Sequence, residues 1–218
     1  MNCYLLVLLQ RQHRPPPTSI IVVISPLIAL KKHQMETWCI LVNVMAKYHL
    51  LFVYGTLKRG QPNAEQFGPE NGVAKYFGQA RTVQKWPLVI ASQCNIPYLL
   101  DMEGSGNNVL GEIYEVDDEM LQHCDFFEGC PGYYQRTSIR VQLTEDSTGS
   151  RVKGDTEEVW VYILQDFKDH LLELPQYECY DSYGAHGLVY VSMYERLRNS
   201  TDHKAEVKKS EAQGVSLQ

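Results

Sequence analysis

Apolar positions divide the chain into short runs that predict strands more often than helices. Residues 51–54 are apolar or aromatic throughout, which is typical of a strand buried on both faces. Between residues 135 and 143 the alternation is regular, with Ile139 and Val141 on one face and Arg140 on the other. The pattern predicts further strands at 73–83, 88–91, 96–100, 109–116 and 159–164, the last apolar on both faces and therefore central. We expect an α+β fold, a small mixed β-barrel or sheet with few helices.

One helix is predicted clearly, between Asp117 and Gly129. Asp117 is a good N-cap residue, and Gly129 with Pro131 ends the helix. Acidic residues in the first turn and an apolar stripe support this helix: Asp118, Glu119, Met120, Leu121, Cys124 and Phe127.

Glu128 is placed unusually for a carboxylate. It falls in the last turn of the predicted helix, where the negative end of the helix dipole disfavours its ionised form. The neighbouring Phe126 and Phe127 are expected to limit water around it and so to raise its pKa further. A carboxyl group with a raised pKa suits general acid–base catalysis near neutral pH. The alternative, a frayed and solvated helix end that carries an acid, stays open on these residues alone.

The strand at 51–54 ends at Gly55, where the backbone can turn. Successive N–H groups facing one concavity form a site for a carboxylate or another anion without any charged side chain. The alternative is an ordinary strand-to-loop turn, followed by two solvated cations, Lys58 and Arg59.

Composition narrows the classes of function. A chain of 218 residues holds one domain with appendages, and its net charge of −6 argues against a nucleic-acid partner. The six cysteines are scattered and have no His/Cys partners at zinc spacing, which predicts a reduced, cytoplasmic protein without a metal site.

The ends of the chain differ from its middle. Residues 1–44 form a predicted N-terminal extension that packs poorly on the rest, and its apolar runs are too short for a membrane span. Residues 21–30 (IVVISPLIAL) are similar to one motif of RecQ-type helicases, but the sequence has no phosphate-binding loop, so no helicase function follows. The domain itself is predicted at 45–197. Residues 198–218 are polar and predicted to be disordered.

Three segments resemble signatures of the γ-glutamylcyclotransferase-like family: residues 52–63 (FVYGTLKRGQPN), 125–131 (DFFEGCP) with YQRT at 134–137, and 180–188 (YDSYGAHGL). The likeness extends from about residue 50 to about residue 190 in the same order. It implies the fold of that family, with residues 1–44 as an unmatched extension.

The resemblance also implies an activity. The enzyme would cyclise a small-molecule γ-glutamyl amine to 5-oxoproline and release the free amine, with γ-glutamyl-ε-lysine as the expected substrate and lysine as the expected product. Glu128 matches the family's proton acceptor, and Tyr54, Gly55, Thr56 and Leu57 match its substrate-binding stretch. No metal, cofactor, nucleic acid or membrane is implied, and we expect a monomer.

Other interpretations remain. The same fold would also suit other γ-glutamyl peptides as substrates, or a non-catalytic ligand-binding module.

Cys130 and His186 could form a nucleophilic pair, although no third orienting group is identifiable. Asp125 and Glu128 lie on one helix face, too close to straddle a glycosidic bond. We therefore expect Asp125 to be structural.

Overall fold

The computed structural model describes residues 47–152, 156–199 and 202–209. By its internal contacts the chain separates into Met1–Ala46 and Lys47–Gln218, and everything below concerns the second unit. The predicted extension at 1–44 lies outside the described residues, so its packing stays a prediction.

Seven strands are present where the apolar runs predict them. In chain order they are β1 (His49–Val53), β2 (Ala74–Thr82), β3 (Leu88–Ala91), β4 (Ile96–Leu99), β5 (Leu110–Val116), β6 (Gln135–Asp146) and β7 (Thr156–Ile163). Five of them form a closed barrel in the order β1-β5-β2-β6-β7, while β3 and β4 pair as a separate hairpin. The α+β class with a small mixed barrel is therefore confirmed.

Barrel closure explains the burial pattern of the strands. In β6 the side chains of Ile139, Val141 and Leu143 are buried, while those of Arg140 and Gln142 are exposed, as the alternation predicts. The last strand, β7, pairs antiparallel with β6 and parallel with β1, through Leu51 and Trp160. Because a closed barrel has no edge, the apolar β7 has a neighbour on both sides.

Three α-helices are described: α1 (Asp118–Glu128), α2 (Met193–Arg198) and α3 (His203–Val207). The predicted helix is confirmed as α1, since the Asp117 carboxylate accepts a hydrogen bond from the Met120 backbone N–H at 2.9 Å. Gly129 ends α1 in the left-handed conformation, with φ of 65°, which glycine adopts without steric cost. Short 3₁₀ helices occupy Ala64–Phe67, Pro69–Asn71 and Asp169–Glu173. No described helix has the length and apolar content of a membrane span.

The C-terminal segment differs from its prediction as a disordered tail. Within 198–218, helix α3 is ordered, and its Val207 side chain is fully buried in the core. The Val207 carbonyl also accepts a hydrogen bond from the Lys168 backbone N–H at 2.8 Å. Among residues 198–199 and 202–209, the part of this stretch that the structure describes, one side chain enters the core, and one buried position produces no apolar periodicity in the sequence.

We predict that Val207→Ala lowers the free energy of unfolding by about 2 kcal/mol, because it removes two buried methyl groups and leaves a cavity. Urea unfolding of the full-length chain measures this. Val83→Ala is the matched control, since Val83 is 41% exposed at the end of β2 and should cost little. An unchanged unfolding midpoint for Val207→Ala would mean that α3 unfolds independently of the barrel.

Candidate active site

A cavity of about 330 Å³ opens beside the end of β1. Five parts of the chain form its walls: the end of β1 with the turn that follows, the start of β4, the end of α1 with the loop that follows, the end of β7, and the C-terminal segment. Its lining includes Tyr54, Gly55, Thr56, Leu57, Asn63, Pro97, Phe126, Phe127, Glu128, Tyr133, Tyr134, Tyr162, Tyr190, Met193, Arg196, Leu197, His203 and Lys204.

The turn after β1 brings all four predicted substrate-binding residues to the cavity. Its carbonyl groups are engaged locally, because Lys58 N–H donates to Gly55 O at 3.3 Å and Asn63 N–H to Thr56 O at 2.9 Å. In the part of the chain that the structure describes, the backbone N–H groups of Gly55, Thr56 and Leu57 have no acceptor. Three such donors in the wall of a cavity are what an anion-binding turn requires.

The side chain of Tyr54 holds this turn to the rest of the fold. Its hydroxyl group donates to Tyr162 O at 2.9 Å and accepts from the Leu99 backbone N–H at 3.3 Å. The turn is thereby attached to β7 and β4, two elements that also border the cavity. Burial raises the pKa of Tyr54 well above its ordinary value, so the phenol stays neutral.

Of the two cations after the turn, Lys58 is buried, contrary to the simpler interpretation of the sequence, whereas Arg59 is exposed but ion-paired. Lys58 is buried, and its Nζ donates to Tyr180 O at 2.6 Å. Arg59 donates from both its backbone N and its Nε to the Glu112 carboxylate, at 2.9 and 3.1 Å, and its guanidinium lies 3.5 Å from the centre of the Tyr76 ring. Both side chains anchor the turn and do not line the cavity.

Glu128 faces the same cavity from the end of α1. Desolvation by burial raises the pKa of its carboxyl group from 4.5 to about 7. The predicted rise in the pKa of Glu128 is confirmed. The shielding from water expected from Phe126 is wrong, because that side chain is 85% exposed at the cavity mouth. Only Phe127 packs toward the core on this side.

Asp125 is a structural residue, as predicted. Its carboxylate accepts from the Tyr162 hydroxyl at 2.7 Å and pairs with Arg136 at 3.0 Å. These contacts attach the last turn of α1 to β6 and β7, and so fix the position of Glu128 one turn later. With both oxygens engaged, Asp125 is not a second catalytic carboxylate.

The Cys130–His186 alternative is not supported. Both ring nitrogens of His186 are engaged locally: Nε2 lies 2.7 Å from Asp181 O, and Nδ1 is 2.9 Å from the Leu188 backbone N–H. His186 also does not line the cavity. A base held in this way cannot activate a distant thiol.

The wall that the C-terminal segment supplies is not evident from the sequence. Asn63 Nδ2 donates to Thr56 Oγ1 at 2.9 Å and to the Tyr190 hydroxyl at 3.1 Å, and Arg196 Nη2 donates to the same hydroxyl at 2.9 Å. This network connects α2 to the turn after β1. The only signal in the sequence is the Ser192–Glu195 capping box at the start of α2, which marks a helix but not its neighbour.

His203 and Lys204, at the start of α3, complete this wall. Burial and the nearby cations Arg196 and Lys204 lower the pKa of His203 to about 4, so its ring is neutral at pH 7. The Lys204 ammonium lies 4.7 Å from the centre of the Tyr133 ring. Among the described residues, no three His, Cys, Asp or Glu side chains are grouped as a metal site.

Comparison with known proteins gives consistent matches. Residues 51–182 match the family described as gamma-glutamyl cyclotransferase, AIG2-like. The chain is 48% identical over 141 residues to gamma-glutamylaminecyclotransferase of Mus musculus, and the match covers 64% of this chain and 94% of the relative. It is 45% identical over 157 residues to gamma-glutamylaminecyclotransferase B of Danio rerio, covering 72% of this chain and 80% of the relative.

Solved structures agree with these matches. The crystal structure of an AIG2-like protein from Mus musculus superposes with a TM-score of 0.63 at 46% identity, covering 66% of this chain and 96% of the other. A solution structure described as A2LD1 superposes with a TM-score of 0.61 at 46% identity, covering 68% of this chain and 99% of the other.

The raised pKa of Glu128 predicts how stability depends on pH. Between pH 4.5 and about 7 the folded chain binds more protons than the unfolded chain, so its stability falls as pH rises through this window. Glu128→Gln removes the ionisation, and we expect the variant to gain up to about 3 kcal/mol relative to the wild type above pH 7.

Urea unfolding at pH 5 and at pH 8 measures this difference. Glu119→Gln is the matched control, because Glu119 is an exposed carboxylate on the same helix. If the free energy of unfolding changes by the same amount between pH 5 and pH 8 in both variants, the carboxyl group of Glu128 is not desolvated.

Proposed function

The chain belongs to the gamma-glutamyl cyclotransferase, AIG2-like family of enzymes, and we propose that it cyclises γ-glutamyl amines to 5-oxoproline and releases the free amine. γ-Glutamyl-ε-lysine is the proposed substrate, which places the enzyme in the degradation of transglutaminase cross-links. The relatives named gamma-glutamylaminecyclotransferase support an amide of this kind. We further propose that the enzyme acts as a cytoplasmic monomer.

One observation carries the proposal: Glu128 and the turn at 54–57 line the same cavity although more than 70 residues separate them in the chain. The turn presents N–H groups without acceptors, and Glu128 presents a carboxyl group that titrates near pH 7. An anion site beside a base tuned to neutral pH suits a substrate that carries both a carboxylate and an ammonium group. The γ-glutamyl group has both on its α-carbon.

In the proposed first step the N–H groups of the turn bind the α-carboxylate, and the Glu128 carboxylate removes a proton from the α-ammonium group. The amine that results attacks the γ-carbonyl carbon of the same molecule and closes a five-membered ring. The nucleophile and the electrophile belong to one molecule. Binding of the folded conformer therefore removes most of the entropic cost of bringing them together.

The tetrahedral intermediate carries a negative oxygen, and Tyr134 is the proposed donor to it. Three other hydroxyl groups of the cavity wall are engaged, since Tyr54 donates to Tyr162 O, Tyr162 to Asp125, and Tyr133 to Tyr98. The Tyr134 hydroxyl has only a long 3.5 Å contact with Pro97 O. Burial keeps its pKa well above the ordinary value, so it remains a donor.

In the last step protonated Glu128 returns its proton to the departing nitrogen, and the bond between the γ-carbon and that nitrogen breaks. The ring nitrogen still carries a second proton of the former ammonium group, and this proton passes to the released amine. The products are 5-oxoproline and the amine in its ammonium form, with no water consumed and Glu128 again ionised. A pKa near 7 suits both directions of this transfer, because the same group must accept and then donate a proton.

We predict that the purified full-length chain forms 5-oxoproline and lysine from γ-glutamyl-ε-lysine, and that Glu128→Gln reduces kcat by a factor of about 100 or more. Chromatography of both products measures the reaction. For the wild type, kcat/KM should rise with pH up to about 7 and then level off, because the base must be ionised. Glu119→Gln should retain full activity.

The same assay tests the rival functions. Faster turnover of γ-glutamyl α-amino-acid dipeptides would favour a peptide substrate. Binding of the γ-glutamyl compounds without product would favour a non-catalytic module. A Glu128→Gln variant that works at the wild-type rate would refute the assignment of the base.

A second prediction concerns the anion site. A Cβ added at Gly55 would lie 3.0 Å from Pro97 Cγ, so the branched side chain of Gly55→Val has to displace the turn. We expect KM to rise by a factor of about 10 or more as the N–H donors move off the carboxylate. Gly132→Val is the matched control, since its nearest neighbour is Gly129 O at 3.6 Å and the site is exposed. An unchanged KM for Gly55→Val would contradict the backbone site.

A further inference from the structure

The guanidinium group of Arg196 lines the cavity without an anionic partner among the described residues. Its Nη2 donates to the Tyr190 hydroxyl at 2.9 Å, and its Nη1 lies 3.4 Å from His203 Nε2. Both partners are uncharged, since His203 is neutral at pH 7. Its Nε is buried and has no hydrogen-bond acceptor. A half-buried guanidinium with a buried, unpartnered Nε can accept a carboxylate or phosphate, and none of the described residues supplies one.

The carboxylates of the surrounding segment do not fill that role. Glu195 accepts from Ser192, and Asp202 accepts from the backbone N–H groups of Lys204 and Ala205. Glu206 lies near Cys94, as Arg196 does, and its Oε2 accepts from the Gln93 backbone N–H. Its Oε1 is buried without a hydrogen-bond partner and is not paired with Arg196. The Lys204 ammonium adds a second positive charge to this wall.

Arg196 and the proposed base line the same cavity, and both charges act on the Tyr133 hydroxyl between them. The N–H groups of the turn after β1 are the proposed site of the α-carboxylate. An anion bound at Arg196 therefore belongs to another part of the substrate.

The mouth of the cavity is apolar and exposed. Phe126 is 85% exposed, Met193 53% and Leu197 72%, and all three line the cavity. These side chains can cover an aliphatic stem that leads from the reacting amide toward α2.

We propose that Arg196 binds a carboxylate on the amine half of the substrate, so that the enzyme prefers γ-glutamyl amines whose leaving amine carries a carboxylate on an aliphatic stem. The inference rests on the proposed cyclisation and identifies what the cavity recognises beyond the γ-glutamyl group. Arg196 is thus a specificity-determining residue, and Glu128 remains the catalytic one.

Two substrates that differ only in this group test the proposal: γ-glutamyl-6-aminohexanoate, which has the terminal carboxylate, and γ-glutamyl-pentylamine, which lacks it. We expect the full-length wild type to prefer the first by about 10- to 100-fold in kcat/KM, as for a charge-assisted hydrogen bond. Arg196→Gln should bring the ratio near one by slowing only the first substrate. Arg196→Lys should restore part of the preference, because it keeps the charge.

Arg198→Gln is the matched control, since Arg198 is exposed on the same helix and does not line the cavity. An Arg196→Gln variant that slows both substrates equally would overturn the proposal, because Arg196 would then bind the shared γ-glutamyl group or support the fold. A ratio unchanged from the wild type would overturn it as well.

Calorimetric titration with 6-aminohexanoate and with pentylamine separates this inference from the cyclisation itself, because it needs no turnover. The wild type should bind 6-aminohexanoate more tightly than pentylamine, and Arg196→Gln should bind both equally weakly. If no compound yields 5-oxoproline, the proposed function fails, and the titration still decides whether Arg196 binds a carboxylate.

Discussion

The site depends on a carboxyl group with limited access to water. Helix α1 ends at Gly129, and Glu128 just before it is half-buried in the wall of the cavity. Asp125, one turn earlier, holds this end of the helix to β6 and β7 through Arg136 and Tyr162. Because burial of Glu128 opposes its ionisation, the surrounding structure must supply the stability that this placement costs.

The strands and α1 could be predicted from the sequence because their signals are local. Alternation in β6, apolar runs in β1 and β7, and the residues that begin and end α1 each act over a few positions. The four-residue turn and Glu128 were found by resemblance, and only the fold shows that they share a cavity. The rise in the pKa of Glu128 was also foreseen, but its cause is burial.

What the sequence could not show are contacts between distant, polar segments. Lys58 resembles a solvated cation until Tyr180 is placed beside it, and the ion pair of the exposed Arg59 needs Glu112. The C-terminal segment resembles a disordered tail because, among its described residues, a single side chain, Val207, enters the core. Neither case leaves a periodic pattern in the sequence. The partners of Lys58 and Arg59 lie more than 50 positions away, and in the described C-terminal segment a single residue is buried.

The wall from Tyr190 to Lys204 has a consequence for how such an enzyme diversifies. It is encoded after the matched region at 51–182, and it contacts the turn after β1 through Tyr190 and the loop after α1 through Lys204. Under the proposed function, insertions or exchanges near the carboxyl terminus would alter which amines are accepted while Glu128 and the turn stay in place. Paralogues that share one barrel but differ in this terminal segment would be free to divide a pool of γ-glutamyl conjugates among themselves.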